Sequence, residues 1–443
     1  MKNDMTQGNI ARALTMFTVP LILSGVFQQM FNWVDAFIVG NVEGEMALAG
    51  IGAVTSTYSM FVMVIVGFTS GLSVLAAQRF GMGRAEELRH ILTCFSLVLG
   101  GIFLVVCSLG AVFTEQILIL LDTPENIFQN AEHYLRVMFV GIPFLAVYNT
   151  GCAVLRGMGD SRAPFLSVLV CSVINVALDL VFVAGLRQGT AGAAIATVLS
   201  QIAMTVYLIG YAARRYPVLR FRPGQDRLVW RDTREGGRFG LPPAIQSGTS
   251  SFGNILLQRF MNGFGEQTVA AITTAYRVDT VLLLPIINFG SGIATVAAQN
   301  IGAGRPERAK QALKTGTLMV AGVALLLTLF ILMAGEFLIA MFGLTPESVE
   351  IGKRFFVRIA SFYVVYGLAM AVRGYLEGLG DMTFSGMAGI AALLVRLAAS
   401  YALAGLLGRM VIAYAEALSW LVLLGLYLLR LAWKGRTPAS PAG

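Results

Sequence analysis

Asp35 ends a polar stripe inside an otherwise apolar run. Ser24, Gln28, Asn32 and Asp35 follow one another at i, i+4, i+8 and i+11, a spacing that sets all four on one helical face. A stripe of this kind turned toward lipid is badly destabilising, so the face must look into the protein. Asn175 and Asp179 lie one turn apart on a second apolar run, Thr197 on a third, and Tyr134 and Asn149 on a fourth. If these helices converge, two carboxylates share a partly dry pocket with amide and hydroxyl oxygens. Desolvation and mutual repulsion oppose two bare negative charges there, so the pair would take up a proton or coordinate a hard cation such as Na⁺ through oxygen. These residues alone do not choose between the two. The plainer alternative is that each Asp only caps or hydrogen-bonds a helix. It is weaker here, because each has aligned polar neighbours in the same half of the chain.

Helices long enough to hold these groups in a membrane are what the composition demands. The chain has 443 residues, 56% hydrophobic and only 13% charged, with a mean hydropathy of +0.74. A soluble globule carries roughly 25% charged residues. Apolar runs near 13–40, 47–77, 91–113, 133–155, 164–186, 189–213, 239–263, 268–298, 313–335, 354–373, 383–404 and 409–431 predict about twelve transmembrane helices and an all-α membrane fold. The first run carries no cleavage pattern and reads as a permanent span. With a cytoplasmic amino terminus, most of the 32 Lys and Arg fall in cytoplasmic loops, including the basic segment 214–238; both termini are then expected inside, in a cell inner (plasma) membrane. The net charge of +8 therefore reflects topology rather than nucleic-acid binding. Cys94, Cys107, Cys152 and Cys171 read as small apolar helix residues, and His90 and His133 alone leave little for a His-based metal site or general base.

The chain repeats itself. AAQRFGMGRAEE at 76–87 matches AAQNIGAGRPER at 297–308, and RGMGD at 156–160 matches EGLGD at 377–381 at the same offset of 221 residues. Pro20, Ser24 and Gly25 match Pro243, Ser247 and Gly248. Six spans plus six, with the same topology, predicts two lobes related by a pseudo-twofold axis along the membrane normal. The expected divisions are an N-lobe at 1–213, a cytoplasmic linker at 214–238, a C-lobe at 239–431 and a tail at 432–443. Pro20, inside the first span, predicts a kink and is a candidate hinge. GMGD and GLGD lack the Walker lysine and read as tight turns, so ATP is not the expected energy source.

In the second half Gln258 replaces Asp35, Arg396 replaces Asn175, Ser400 replaces Asp179, and Glu416 lies near the Thr197 equivalent. The acid pair is thus confined to the first lobe. Arg396 and Glu416 are expected to form a structural ion pair that locks spans 11 and 12 together. The partners of Arg277 and Asp279 are left open, since residues two apart on a helix do not face one another.

At WVDAFIVG, AAQRFGMGR with AAQNIGAGR, LRGMGDSRAP and INVALDLVFV the sequence resembles the multidrug and toxic compound extrusion (MATE) family, from Pro20 to about Leu424. The resemblance implies a V-shaped two-lobe fold, no enzymatic activity and no cofactor, and export of organic, mostly cationic or amphipathic small molecules by H⁺ or Na⁺ antiport. In one branch the cation site would fall on Asp35, Asn175, Asp179 and Thr197, with Gln28, Asn32, Tyr134 and Asn149 around it. The other branch's acids on spans 7 and 10 are not present here. The expected partners are such substrates and the lipid bilayer, with the chain a monomer. A flippase for lipid-linked saccharides would want an Arg-rich cavity instead, and a membrane-embedded transferase would want a His, Cys or Ser site at the interface.

Overall fold

A computed structural model describes residues 4–222 and 230–436, without the side chains at 230, 231, 435 and 436. The middle of the expected linker, 223–229, and most of the expected tail, 437–443, lie outside the described residues. The elements are α1 (Ile10–Val42), α2 (Glu45–Gly81), α3 (Ala85–Val112), α4 (Thr114–Leu120), α5 (Glu125–Gly157), α6 (Arg162–Asp179), α7 (Gly189–Arg215), α8 (Trp230–Asn262), α9 (Glu266–Leu282), α10 (Leu284–Gly302), α11 (Pro306–Ala340), α12 (Pro346–Ala360), α13 (Tyr363–Gly378), α14 (Met382–Leu407) and α15 (Val411–Arg436). The described residues contain no strand.

Nine helical stretches among the described residues are long and apolar enough to cross a bilayer, ten when α12 and α13, bent by 45° at their break, count as one. One stretch, Met382–Lys434, spans 53 residues. At 1.5 Å per residue it would reach about 80 Å, far beyond a hydrocarbon core of about 30 Å. Gly408, at φ 54°, breaks it, and α14 and α15 pack on each other as two spans. α8 is less apolar because it opens with Asp232, Arg234, Glu235 and Arg238 before its apolar residues begin. Counting α8 brings the total to the twelve expected from the sequence.

The helices group into two units. Pro20–Ala244 forms the body of the first; Asp4–Val19 and Ile245–Gly443 form the second. The borders fall beside Pro20 in α1 and beside Pro243 in α8, two positions paired by the repeat. In the first unit α5 is central, packed by α2, α3 and α7 around Leu72, Phe95, Leu135 and Phe139. In the second, α13 takes the equivalent place among α10, α11 and α15. All four cysteines are buried and free.

The repeated motifs pack on each other. A Cβ on Gly157 would stand 2.6 Å from that of Ala76, and one on Gly378 would stand 2.7 Å from that of Ala297. Only small residues let these backbones approach so closely. The following turns need positive φ, 81° at Gly159 and 86° at Gly380. The acid that ends each turn ties down the sixth span of its half, α7 or α15. Asp160 accepts hydrogen bonds from the hydroxyls of Tyr211 (3.1 Å) and Tyr216 (2.7 Å), and Asp381 accepts from Arg430 (2.7 Å) and Lys434 (3.1 Å). Burial and the Asp160 carboxylate together push the Tyr216 phenol well up.

The second copy of the AAQ motif also grips the chain that leads into its own unit. The Met5 amide donates to Gln299 Oε1 at 3.1 Å, Asn300 Nδ2 donates to the Met5 carbonyl at 3.3 Å, and Arg305 and Arg308 donate to the carbonyls of Thr6 and Gly8, each at 2.7 Å. In the first copy, Arg79 sits 2.5 Å from Glu235 at the start of α8 and 3.1 Å from Glu87.

Candidate functional site

The first unit brings Asp35, Asn175, Asp179 and Thr197 together from α1, α6 and α7. Asp179 is the last residue of α6, and the helix widens there into a π turn over Leu180–Gly185. Such turns are rare and are frequent at functional sites. Asn175 and Asp179 are fully buried, Thr197 is nearly so, and Asp35 is half-buried. Asn175 Nδ2 reaches Thr197 Oγ1 at 3.4 Å, and the Thr197 hydroxyl donates to the Ala193 carbonyl at 3.0 Å. The Asp35 and Asp179 carboxyl groups are within hydrogen-bonding reach of one another.

Acceptors outnumber donors in this cluster. Asp35 Oδ1, Asn175 Oδ1 and both oxygens of Asp179 are buried with no protein donor. Among the described residues neither carboxylate has a Lys or Arg partner. Burying an unpaired carboxylate costs several kcal/mol, and two together cost more. One proton shared between the carboxyls would turn one acceptor into a donor to the other. A hard cation would meet four oxygens instead.

The other predicted residues differ in placement. Tyr134 is buried close enough to feel both carboxylates. Asn149 uses its amide on the Leu145 carbonyl at 2.8 Å. Gln28 and Asn32 are exposed on α1, and Asn32 donates to Gln29 at 3.3 Å. Pro20 sits within a helix that continues past it on both sides. Sequence reasoning missed Gln201 and Tyr58, joined at 2.9 Å on α7 and α2. Gln201 lies one turn after Thr197, so its i+4 spacing on a buried face was the available signal.

The second unit is built differently at the same positions. Gln258, the Asp35 counterpart, is exposed and bonds Asn262 at 2.9 Å; Ser400, the Asp179 counterpart, bonds the Arg396 carbonyl at 2.8 Å. Arg396 Nη2 lies 3.0 Å from Glu416 Oε2, across α14 and α15. Tyr276 of α9 bridges the two: Arg396 donates to its hydroxyl at 2.8 Å, and that hydroxyl donates to Glu416 at 2.7 Å. Asp279 accepts a hydrogen bond from the Tyr363 hydroxyl. Arg277 faces elsewhere, lining a cavity of about 480 Å³ with Asn262, Glu266, Thr273 and Thr274.

Residues 20–181 and 242–402 match the sequence model of the MatE family. The chain is 30% identical over 380 residues to the probable multidrug resistance protein YpnP of Bacillus subtilis, covering 86% of this chain and 85% of that protein. It is 24% identical over 388 residues to the probable multidrug resistance protein NorM of Thermotoga maritima, covering 84% and 81%. Among solved structures it is similar to the outward-facing conformation of a multidrug resistance MATE family transporter of the MOP superfamily. The TM-score is 0.91 with 99% of each chain covered; at 18% identity that likeness speaks for the fold.

Proposed function

This chain belongs to the MatE family, and from that premise we propose that it exports organic, mostly cationic or amphipathic compounds in exchange for H⁺ or Na⁺ bound at Asp35, Asn175, Asp179 and Thr197. It is a membrane transporter and not an enzyme. The observation that carries the coupling proposal is the set of four buried oxygens, three of them on carboxylates, with no protein donor. Such a set is stabilised by one small positive charge and destabilised by its departure. Cation entry from outside would neutralise the Asp35–Asp179 pair and favour substrate release; substrate binding from inside would favour cation release. Gln28, Asn32, Tyr134 and Asn149 serve as the surrounding polar lining, with Pro20 as the hinge of α1. The chain works as a monomer in a cell inner membrane with both termini cytoplasmic.

The energy is adequate. One charge crossing 100 mV supplies about 2.3 kcal/mol. At about 1.4 kcal/mol per factor of ten, one cation per neutral substrate sustains roughly a fortyfold gradient. A monovalent cationic substrate exchanged one for one draws only on the chemical gradient.

The test is uptake of a fluorescent organic cation into inverted vesicles under separately imposed pH and Na⁺ gradients. Wild type is compared with Asp35→Asn and Asp179→Asn. Each variant is expected to lose gradient-driven uptake, and the gradient that drives wild type identifies the ion. Undiminished uptake in both variants rules the site out.

A further inference from the structure

The second unit contains an acidic group that the coupling pair does not use. Asp279 on α9 is 4% exposed, and its one bonded partner among the described residues is the hydroxyl of Tyr363 on α13, itself fully buried. Glu416 on α15 and Arg396 on α14 stand close enough to act on Asp279 through space, and Tyr366 on α13 feels it too. Tyr276, three residues earlier on α9, holds Arg396 and Glu416 together. Among the described residues, no other ionisable side chain is seen to act on Asp279 from the neighbouring elements. α10 has none in its sequence. On α11 and α12, Glu336 pairs with Lys353 and Glu350 with Arg354 at exposed positions, and half-buried Arg358 bonds Tyr414 and the Arg354 carbonyl.

Counting charges gives the inference. One guanidinium faces two carboxylates. Arg396 commits Nη2 to Glu416 and Tyr276, which neutralises one of them. Asp279 is left with a neutral phenol as its donor, too little to hold a buried carboxylate ionised. A proton from solvent added at Oδ2 brings the cluster from one net negative charge to neutrality and leaves Oδ1 free to accept from Tyr363. No bond other than O–H forms, and none breaks within the protein. We propose that Asp279 is a second proton-binding site of this transporter, housed in the second unit and separate from the Asp35–Asp179 pair. Its occupancy does not depend on which ion the first unit couples.

Infrared difference spectroscopy on the purified full chain tests this directly. The Asp35→Asn/Asp179→Asn variant removes the first unit's carboxyls and should still show a protonated-carboxyl C=O band at neutral pH, sensitive to H₂O/D₂O exchange. Adding Asp279→Asn should abolish that band. Asn keeps an oxygen for Tyr363, and an unchanged melting curve shows the fold is retained. If that variant does not fold, Tyr363→Phe serves in its place and should shift the band without removing it. Absence of the band before Asp279 is changed, its persistence afterwards, or its indifference to Tyr363→Phe would each overturn the proposal. Loss of transport in the Asp35→Asn/Asp179→Asn background bears on the coupling pair alone, so the two ideas fail separately.

Discussion

Replacing Arg396 by alanine should destabilise the second unit by about 3 kcal/mol. The guanidinium stands 3.0 Å from Glu416, with side chains 17% and 10% exposed. At that separation the attraction is about 5 kcal/mol for an effective dielectric of 20, largely offset by the desolvation of both ions. Truncating one partner removes the attraction and leaves the desolvated Glu416 behind, a change of about 3–5 kcal/mol. Residual exposure puts this pair at the lower end. Tyr276 still donates to Glu416, but it does so in wild type as well and compensates nothing new. Thermal unfolding in detergent, followed by tryptophan fluorescence in a variant that keeps Trp420 but carries Trp33→Phe and Trp230→Phe, reads the second unit, where Trp420 lies 4.7 Å from Tyr366. A thiol-reactive dye reads the other unit, where all four cysteines are buried. The double variant Arg396→Gln/Glu416→Gln should recover most of the loss, because no buried charge is left alone. An Arg396→Ala melting curve that overlays wild type near neutral pH would refute the reasoning, as would a double variant no better than the single one.

Three further outcomes are expected. Burial alone would raise Asp381, but hydrogen bonds from Arg430 and Lys434 hold its carboxyl below the usual range. A lowered folded pKa stabilises above the unfolded value of about 3.9 and is lost as pH falls through the folded one. Asp381→Asn should therefore cost about 1–2 kcal/mol at neutral pH, and its acid-unfolding curve should converge with wild type below about pH 4. Gly378→Ala drives a methyl into Ala297 and should lower stability by about 1–3 kcal/mol, read by the same melting assay. Gly322→Ala on α11 meets nothing within 4 Å and should be neutral or stabilise by up to about 1 kcal/mol, so equal losses from the two alanines would contradict the packing described.

The sequence carried the span pattern and the repeat because both are written in hydrophobicity and spacing, which bilayer thickness enforces. It also pointed to Asp35, Asn175 and Asp179, since polar and ionisable groups in apolar runs stand out whatever the tertiary structure. It could not show that Tyr276 threads between Arg396 and Glu416, or that Asp279 meets Tyr363. Those contacts join helices with no constraint on their spacing, and tyrosine is ordinary in an apolar run. Gln28 and Asn32 share a helical face with Asp35, yet they are exposed while Asp35 is half-buried. A stripe gives direction around a helix axis but not depth along it. The π turn after Asp179 has no signature in LVFVAG. The Gly-rich motifs were legible as turns, but their packing against the AAQ motifs was not, because close approach of backbones is a property of two segments at once.

The grip of Gln299, Asn300, Arg305 and Arg308 on Met5–Gly8 bears on how the protein can be handled. Those side chains hold backbone groups and so place little demand on the side chains at positions 5 to 7, but they require a chain to be there, turned at Gly8 with φ 76°. A fusion partner joined ahead of Met5 should be tolerated if it leaves the turn at 5–8 intact. Proteolytic trimming past Gly8 would instead strip two guanidinium groups of their carbonyl acceptors and loosen the Gly302 end of α10.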